Sequence, residues 1–180
     1  MTAVTLAMFR IAVSWVADLA EYFIHRAFHA VPFLWGFHAI HHSSKALDWM
    51  AGSRAHLVDD LVVRAFILIP MMLVFPQNIN AAYLLFVTLH ATWTHCNFGP
   101  TVKWLEPFLI QPRYHHWHHT SQQEAIDKNF AIHFPWIDRI FGTYYYPDAW
   151  PERYGLDGEE IAPGFVGQTI EPFTKRKGKP

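Results

Sequence analysis

The spacing His-x-x-His-His occurs twice in this chain, once within residues 38–42 and once within residues 115–119. On an α-helix, positions i, i+3 and i+4 lie on one face, so each motif directs three imidazoles toward one point. On a β-strand, His38 and His42 would face one way and His41 the other. The spacing therefore favours two helices, and we interpret the rest of the chain as a scaffold that brings their histidine faces together.

Two further histidine pairs lie at the ends of apolar stretches, His25 with His29 and His90 with His95. The first pair has the i, i+4 spacing of one helical face. The second is five positions apart, which separates its side chains by about 140° on a regular α-helix. A π-bulge would bring them together; alternatively, the helix ends near Thr94, or only one of the two binds. The two motifs and two pairs hold ten of the thirteen histidines.

Imidazole is a neutral ligand that suits iron, zinc, copper and nickel. One tetrahedral zinc needs about four ligands and a catalytic zinc about three, so ten imidazoles exceed what one metal can use. We therefore predict a centre with two metals, each bound by several histidines with room for a small ligand. The candidate ligands are His25, His29, His38, His41, His42, His90, His95, His115, His118 and His119.

A metal-bound imidazole is usually oriented by a hydrogen bond at its other ring nitrogen. Candidates for that supporting role are Asp18, His56, Asn97, Asn129 and Asp138. A purely structural hydrogen-bonding role fits the same residues equally well. His56, His116 and His133 lack the spacing of the other histidines, so we place them in supporting or surface positions.

Hydrophobic residues make up 52% of the chain and charged residues 16%, whereas soluble domains usually carry about a quarter charged residues. This balance predicts an all-α integral membrane protein with a histidine-rich cap. Apolar helices are predicted at about residues 3–24, 57–75 and 79–95, with lengths of roughly 33, 28 and 25 Å against a hydrocarbon core of about 30 Å. The last two form a hairpin that either crosses the bilayer or only enters it.

Charge distribution predicts which side of the membrane the histidines face. The hairpin turn, residues 76–80, carries no Lys or Arg, whereas basic residues lie on the histidine side. By the positive-inside tendency, the histidines face the cytoplasm. The net charge of −1 and the lack of a long basic face give no reason to expect a nucleic-acid partner. Cys96 is the single cysteine, which excludes an internal disulfide.

The order of the motifs extends beyond the histidines. The pieces in question are Asp18…Tyr22…His25-Arg26…His29, Pro32…Leu34-Trp35…Phe37-His38…His41-His42-Ser43, Arg54-Ala55-His56, His95…Asn97, Pro112…His115…His118-His119 and Asn129…Asp138-Arg139…Phe141-Gly142-Thr143-Tyr144. This order resembles the fatty acid hydroxylase/sterol desaturase superfamily of membrane di-iron oxygenases, and most of all its bacterial sterol desaturase family proteins. The resemblance covers roughly residues 15–155.

The resemblance implies a fatty acid hydroxylase-type membrane domain over residues 1–155, in a bacterial inner membrane, and a C-terminal tail at 156–180. It implies that the ten histidines bind two iron ions, with O₂ as co-substrate, and that the protein hydroxylates an unactivated C–H of a membrane lipid such as a fatty acyl chain or sterol. No catalytic side chain beyond the metal ligands is expected. Electrons must come from outside, because the chain has no G-x-G-x-x-G fingerprint. We expect a separate redox partner, such as a ferredoxin or a cytochrome b5-type protein with its reductase.

Several alternatives stay open at this point. The same cluster supports lipid desaturation or oxidative cleavage of an ether lipid, depending on how the substrate is placed. A b-type haem electron carrier would show a Soret band, and a zinc-dependent membrane hydrolase or metal-binding module would not need O₂. The chain begins almost at the helix with the first histidine pair, where superfamily members commonly have further helices. We therefore expect a fragment or a minimal version.

Overall fold

The computed structural model describes residues 3–75, 77–158 and 160–175. None of these residues lies in a β-strand, and an isolated β-bridge joins Thr120 to Tyr154. The all-α prediction is therefore confirmed for the described part of the chain. The α-helices are α1 (Ala3–Ala30), α2 (Pro32–His42), α3 (Leu57–Val63), α4 (Ile69–Val74), α5 (Gln77–His95), α6 (Pro112–His118), α7 (Trp136–Phe141) and α8 (Gly164–Thr174).

A sharp corner joins α1 to α2. Pro32 occupies the first turn of α2, preceded by Val31 in an extended conformation. Proline has no N–H and fixes φ near −65°, so it starts a helix readily and cannot continue one. The break between α1 and α2 therefore falls at Pro32. α1 continues to Ala30, beyond the predicted end at residue 24, and its last two turns therefore carry both His25 and His29.

The predicted helix over 57–75 is interrupted. A π-helical turn, Arg64–Leu68, separates α3 from α4, and the Ile69 N–H donates to Arg64 O across five residues. Pro70 follows directly and has no N–H to donate to the carbonyl four residues earlier, which favours a wider turn before it. A π-bulge is one possibility the sequence offers for α5, but α5 is α-helical over Gln77–His95 and the π turn lies here instead.

The apolar helices differ from the prediction in another respect. The sequence predicts membrane-spanning lengths at 3–24, 57–75 and 79–95. Within the ranges that the structure describes, no helix combines enough length with enough apolar character to cross a membrane. Pro76, in the predicted hairpin turn, lies outside the described residues, as do residues 159 and 176–180 of the predicted tail.

Two hydrophobic clusters hold α1 in place. The first contains Tyr22, Ile110, Tyr114, Phe130, Ala131 and Ile137. The second contains Ala17, Ile67, Met71 and Phe75, and it joins α1 to the π turn and α4. Because α1 contributes to both clusters, its C-terminal histidines are held at a defined position against α2 and α6.

The final helix packs on the histidine-bearing helix α2. A Cβ added to Gly36 would lie 3.6 Å from Cβ of Pro172, so the backbones of α2 and α8 approach closely. The rings of Phe37 and Phe173 meet edge to face, with centroids 5.2 Å apart. α8 lies within the range predicted as a tail, and it covers one side of α2.

Candidate metal centre

Nine of the ten candidate ligands lie in two groups, and within each group the ligand nitrogens are within 4.8 Å of one another. The five-histidine group consists of His25, His29, His38, His42 and His118. The four-histidine group consists of His41, His95, His115 and His119. The groups adjoin, since the rings of His42 and His119 stack with centroids 4.4 Å apart. The histidine faces of α2 and α6 therefore meet, as the sequence predicts.

Each His-x-x-His-His motif is divided between the two groups, which corrects the prediction that its three rings share one point. In α2, His38 and His42 belong to the five-histidine group and His41 to the other. In α6 the division is reversed, with His118 in the five-histidine group. In both motifs, positions i and i+4 stay together and i+3 separates. On a helix, i+4 lies about 40° to one side of i and i+3 about 60° to the other, so the motif faces two neighbouring points.

The predicted pair on α5 is split. His95 joins the four-histidine group, whereas His90 lies outside both groups. The His90 Nε2 is 2.9 Å from Ile110 O, and its ring stacks on His133 with centroids 5.0 Å apart. This is the geometry expected of a regular helix, in which five positions place the two rings on different sides. Of the three possibilities that the sequence leaves open, α5 has no π-bulge, it does end at His95 beside Thr94, and of the pair only His95 lies with the other candidate ligands.

An oxygen atom faces the Nδ1 of five of these histidines. The contacts are His25 to Phe130 O at 2.7 Å, His38 to Asp59 Oδ2 at 2.6 Å, His41 to Arg54 O at 2.9 Å, His95 to Ala91 O at 2.7 Å and His118 to Lys128 O at 2.9 Å. Because these oxygens accept hydrogen bonds, each Nδ1 carries the hydrogen. The lone pair of each ring is then on Nε2, which is the arrangement found in metal-bound imidazole.

The Nε2 atoms point at one another. His25 and His38 approach to 3.0 Å, and His41 and His95 to 3.3 Å. Two lone pairs repel at this distance unless a cation lies beside them. Imidazole nitrogens bound side by side to one metal at about 2.1 Å lie about 3.0–3.4 Å apart, so these distances fit a shared metal.

Unsatisfied nitrogens support the same conclusion. Both ring nitrogens of His29, the Nε2 of His118 and the Nδ1 of His119 are buried without a hydrogen-bond partner. Buried polar atoms are normally paired. The donor set therefore fits metal ions at both groups.

Burial keeps these imidazoles neutral. Loss of solvation, together with the neighbouring His38, lowers the pKa of His25 to about 3. Burial and neighbouring imidazoles also hold the pKa values of His29, His41, His42, His115, His118 and His119 well below the ordinary value. A metal binds neutral imidazole, so the folded protein presents the binding form at neutral pH.

Two carboxylates contact the centre. Asp127 Oδ1 lies 3.7 Å from His29 Nδ1. Asp59 makes the closer contact, and sequence reasoning missed it. Asp59 is buried at the start of α3 and bonds to His38, whereas the side chain of its neighbour Asp60 is 44% exposed and pairs with Arg64 at 2.7 Å. The available signal was an acidic pair at the start of an apolar helix. Which of the two acids faces inward depends on how α3 packs.

A tight loop supplies two of the carbonyl contacts. Asp127 and Asn129 both have φ near +60°, a left-handed conformation that Asn and Asp tolerate better than most residues. The Asn129 amide donates to Tyr114 O and Tyr145 O, and its oxygen accepts from the Tyr145 N–H. The loop therefore directs the carbonyls of Lys128 and Phe130 at His118 and His25.

Asp138 holds the other end of this loop. Its carboxylate accepts from the N–H groups of Phe130 and Ala131, and also from the hydroxyls of Thr143 and Tyr114. Asn129 and Asp138 thus support the histidines through backbone that they position, and neither bonds directly to a histidine of either group.

The other supporting candidates lie elsewhere. Asp18 accepts from the backbone N–H groups of His133 and Phe134 and bonds to the His133 ring. His56 caps α3, because its Nδ1 accepts from the Val58 N–H. Asn97 is exposed.

The histidines expected in supporting or surface positions are buried. His56 is 5% exposed, His116 1% and His133 3%. The Nε2 of His116 is 3.2 Å from Cys96 O, and its Nδ1 is 2.8 Å from the Tyr154 hydroxyl. A surface position is therefore wrong for all three, because each bonds to a neighbouring segment of the fold.

A cavity of about 180 Å³ opens beside both groups. Five of the nine histidines line it: His25, His38, His41, His95 and His115. Most of the remaining wall is apolar, with Ile24, Phe28 and Val63 among its residues. Ligand pockets usually measure about 300–1,000 Å³, so this one suits part of an apolar chain rather than a whole lipid.

Comparisons with known proteins agree with the motifs. A sequence model of the fatty acid hydroxylase family matches residues 11–143. An ornithine lipid hydroxylase from Rhizobium tropici is 30% identical over 91% of this chain and 50% of its own length. Alkylglycerol monooxygenases from Danio rerio and Homo sapiens are 32% and 33% identical over 77% and 71% of this chain, and 31% and 28% of their own lengths. The chain thus spans about half or less of these relatives, and no solved structure matches it.

Proposed function

Because the chain belongs to the fatty acid hydroxylase family, as its histidine motifs predict, we propose that it carries the metal centre of an O₂-dependent lipid hydroxylase. The observation that carries this proposal is the pair of adjacent histidine groups beside one apolar cavity. Metals held by these two adjoining groups would lie beside the apolar cavity, which would suit the oxidation of an unactivated C–H because an apolar wall favours an alkyl chain over water.

We propose iron at both groups, with nine histidine ligands rather than the ten expected from the sequence. His90 is left out because it lies outside both groups. Bound irons would supply the activation of O₂. The chain's own residues hold the rings in position through Asp59 and the carbonyls of Phe130, Arg54, Ala91 and Lys128, and the apolar wall orients the substrate chain.

The proposed substrate is a lipid whose alkyl or acyl chain enters the cavity. Ornithine lipid and alkylglycerol, the compounds after which two of the relatives are named, are the first compounds to test. Large apolar side chains on the outside of the helices support contact with a lipid bilayer; among them are Phe66, Ile69, Met72, Leu84, Leu85 and Leu89. Placement at the cytoplasmic side of a bacterial inner membrane and a ferredoxin or cytochrome b5-type donor remain parts of this proposal.

Metal analysis and an isotope experiment test the function. After expression with ample iron, the protein should hold about two irons per chain. With ¹⁸O₂, a reductase system and a lipid extract, the label should appear in a hydroxylated lipid. A parallel reaction under nitrogen should give no product.

The same experiment separates the alternatives. Desaturation would leave no label in the lipid, and cleavage of an added alkylglycerol would identify an ether-lipid monooxygenase. A Soret band would indicate haem. Turnover supported by zinc without O₂ would overturn the oxygenase proposal.

A further inference from the structure

Glu21 is an unpaired acid in the wall of the cavity. Three carboxylates line this wall, those of Glu21, Asp59 and Asp60. Asp59 bonds to a histidine of the centre and Asp60 to an arginine. No hydrogen bond or ion pair of the described residues involves the Glu21 carboxylate. A carboxyl group in this position is free to exchange a proton with whatever occupies the cavity.

A buried acid and imidazole lie next to Glu21. Asp18 Oδ1 is 2.8 Å from the Nδ1 of His133 and 3.0 Å from its backbone nitrogen, and the two residues are 1% and 3% exposed. Because Nδ1 donates to Asp18, the second ring nitrogen, Nε2, is available, and it is buried without a hydrogen-bond partner. Ligand atoms of Asp18, Glu21 and His133 lie within 4.8 Å of one another.

The proposed reaction needs such a group. Hydroxylation of a C–H by O₂ consumes two electrons and two protons: RH + O₂ + 2 e⁻ + 2 H⁺ gives ROH + H₂O. An external one-electron carrier supplies the electrons. The cavity histidines are committed to metals in the proposed function, and most of the remaining wall is apolar. Among the cavity's carboxyl groups, the one on Glu21 has no competing partner.

We propose that Glu21 is the proton donor of this cavity and that the Asp18–His133 pair restores its proton. This inference rests on the proposed function. In each transfer the O–H bond of Glu21 breaks and its proton passes to the oxygen being reduced. The Nε2–H of protonated His133 then returns a proton to the Glu21 carboxylate. His133 keeps its Nδ1–H on Asp18 and takes its next proton from water, so two such transfers complete one turnover.

The charge environment agrees with this role. Burial raises the pKa of Glu21 to about 7, against a partial lowering by His133. Burial alone would lower the pKa of His133, but its hydrogen bond to Asp18 and the charge of Asp18 outweigh burial and raise it. Besides the five cavity histidines, the groups that face Glu21 are Asp18, His133, Asp59, Asp60 and Tyr83.

Glu21→Gln tests the inference, because it keeps the shape of the side chain and removes the exchangeable proton. In the metal-loaded protein kcat should fall by about 100-fold while the metal content is unchanged. The wild type should lose activity as the pH rises above about 7, because Glu21 is then deprotonated, and the variant should lack this dependence. Asp60→Asn is the control. It removes a different carboxylate from the same wall and should keep the pH dependence of the wild type.

Infrared spectroscopy of the metal-free protein gives a readout independent of activity. The band of a protonated carboxyl group should disappear as the pH rises through about 7 in the wild type and in Asp60→Asn, and it should be absent in Glu21→Gln. In His133→Gln its midpoint should rise, because a positive neighbour is lost.

Different results would overturn the role of Glu21 and the proposed lipid hydroxylation. A band unchanged by Glu21→Gln, or an alkaline loss of activity that survives in this variant, would overturn the role of Glu21 even if the lipid is hydroxylated. A band that titrates as expected in a protein that never oxygenates a lipid would overturn the proposed function instead.

Discussion

The two histidine groups take rings from the same two motifs but differ in their supports. The five-histidine group adds two rings from α1 and includes His38, whose Nδ1 donates to the carboxylate of Asp59 at 2.6 Å. The four-histidine group adds one ring from α5, and the oxygen contacts of its rings are to backbone carbonyls, those of Arg54 and Ala91. A carboxylate makes its imidazole a stronger ligand than a carbonyl does.

The groups also differ in access. The four-histidine group contributes three of the five cavity histidines although it is the smaller group. Four histidines would leave more positions open on a bound ion than five histidines would. Two helices with identical motifs thus contribute to unequal histidine groups. We expect the five-histidine site to bind metal more tightly and the four-histidine site to be nearer the substrate.

Removing one ring from each group should have the largest effect. His118→Ala affects the five-histidine group and His115→Ala the four-histidine group, and each should reduce the metal content from about two per chain toward one. Activity should fall by more than about 100-fold in both, because losing a ligand costs more than losing its support. Metal analysis and lipid oxidation measure the two effects.

His116→Ala is the control for this pair, because His116 lies on the same helix and bonds to Tyr154 and Cys96 instead. It should keep both metals. Wild-type metal content and turnover in His118→Ala or His115→Ala would contradict the ligand assignment.

Asp59→Asn should weaken the five-histidine site selectively. The amide oxygen can still accept from His38, but the charge is lost, and we expect metal affinity to fall about 10–100-fold. Competition with a chelator measures the affinity of each site. Asp60→Asn is the matched control, because Asp60 is half-buried and pairs with Arg64 instead of a histidine. Equal weakening in both variants would show that the loss of surface charge, and not the contact to His38, is responsible.

Acid should destabilise the metal-free protein through both groups. Burial lowers the pKa of His25 to about 3, whereas a histidine in the unfolded chain has a pKa of about 6.5. Between these values the unfolded chain binds more protons, so stability falls as the pH drops, by up to roughly 1.4 kcal/mol per pH unit for each such histidine. Urea unfolding at about pH 7.5 and about pH 5.5 measures the difference.

Imidazole NMR signals show whether the two groups behave alike. Rings of both groups should remain neutral at pH values well below the ordinary histidine pKa, since burial lowers the pKa of members of each group. If the rings of one histidine group gained protons at about pH 6.5, that group would be exposed to solvent, contrary to its burial in the structure.

Gly52→Ala should have the smallest effect and act on the four-histidine group alone. A Cβ at this position would lie 3.1 Å from His95 Nδ1 and 3.3 Å from Ala91 O. It would crowd the 2.7 Å hydrogen bond between His95 Nδ1 and Ala91 O, and such crowding lowers the stability by about 1 kcal/mol or somewhat more. Melting temperature and the affinity of the second metal measure it. Gly99→Ala is the control. A Cβ at Gly99 would have no atom within 4 Å, so this substitution should change neither the melting temperature nor the metal affinity.

Much of the architecture followed from local sequence. Pro32 and Pro112 each begin a helix, because a proline at a helix start loses no hydrogen bond. The prediction that both histidine motifs are helical also follows from their spacing. The Asp18 and Asn129 positions stood out in the sequence, but their partners are distant in the chain. The sequence therefore did not reveal that Asp18 bonds to His133 and Asn129 to the Tyr114 carbonyl of α6.

By itself, the sequence determined the family, the all-α fold and nine of the histidines that meet. These depend on helix periodicity and motif order, which are properties of the chain. Only the tertiary structure decided that each motif serves two groups, that Asp59 rather than Asp60 faces His38, and that His90 turns away. Spacing sets which side chains share a helix face, but the rotation of each helix against its neighbours decides what that face meets.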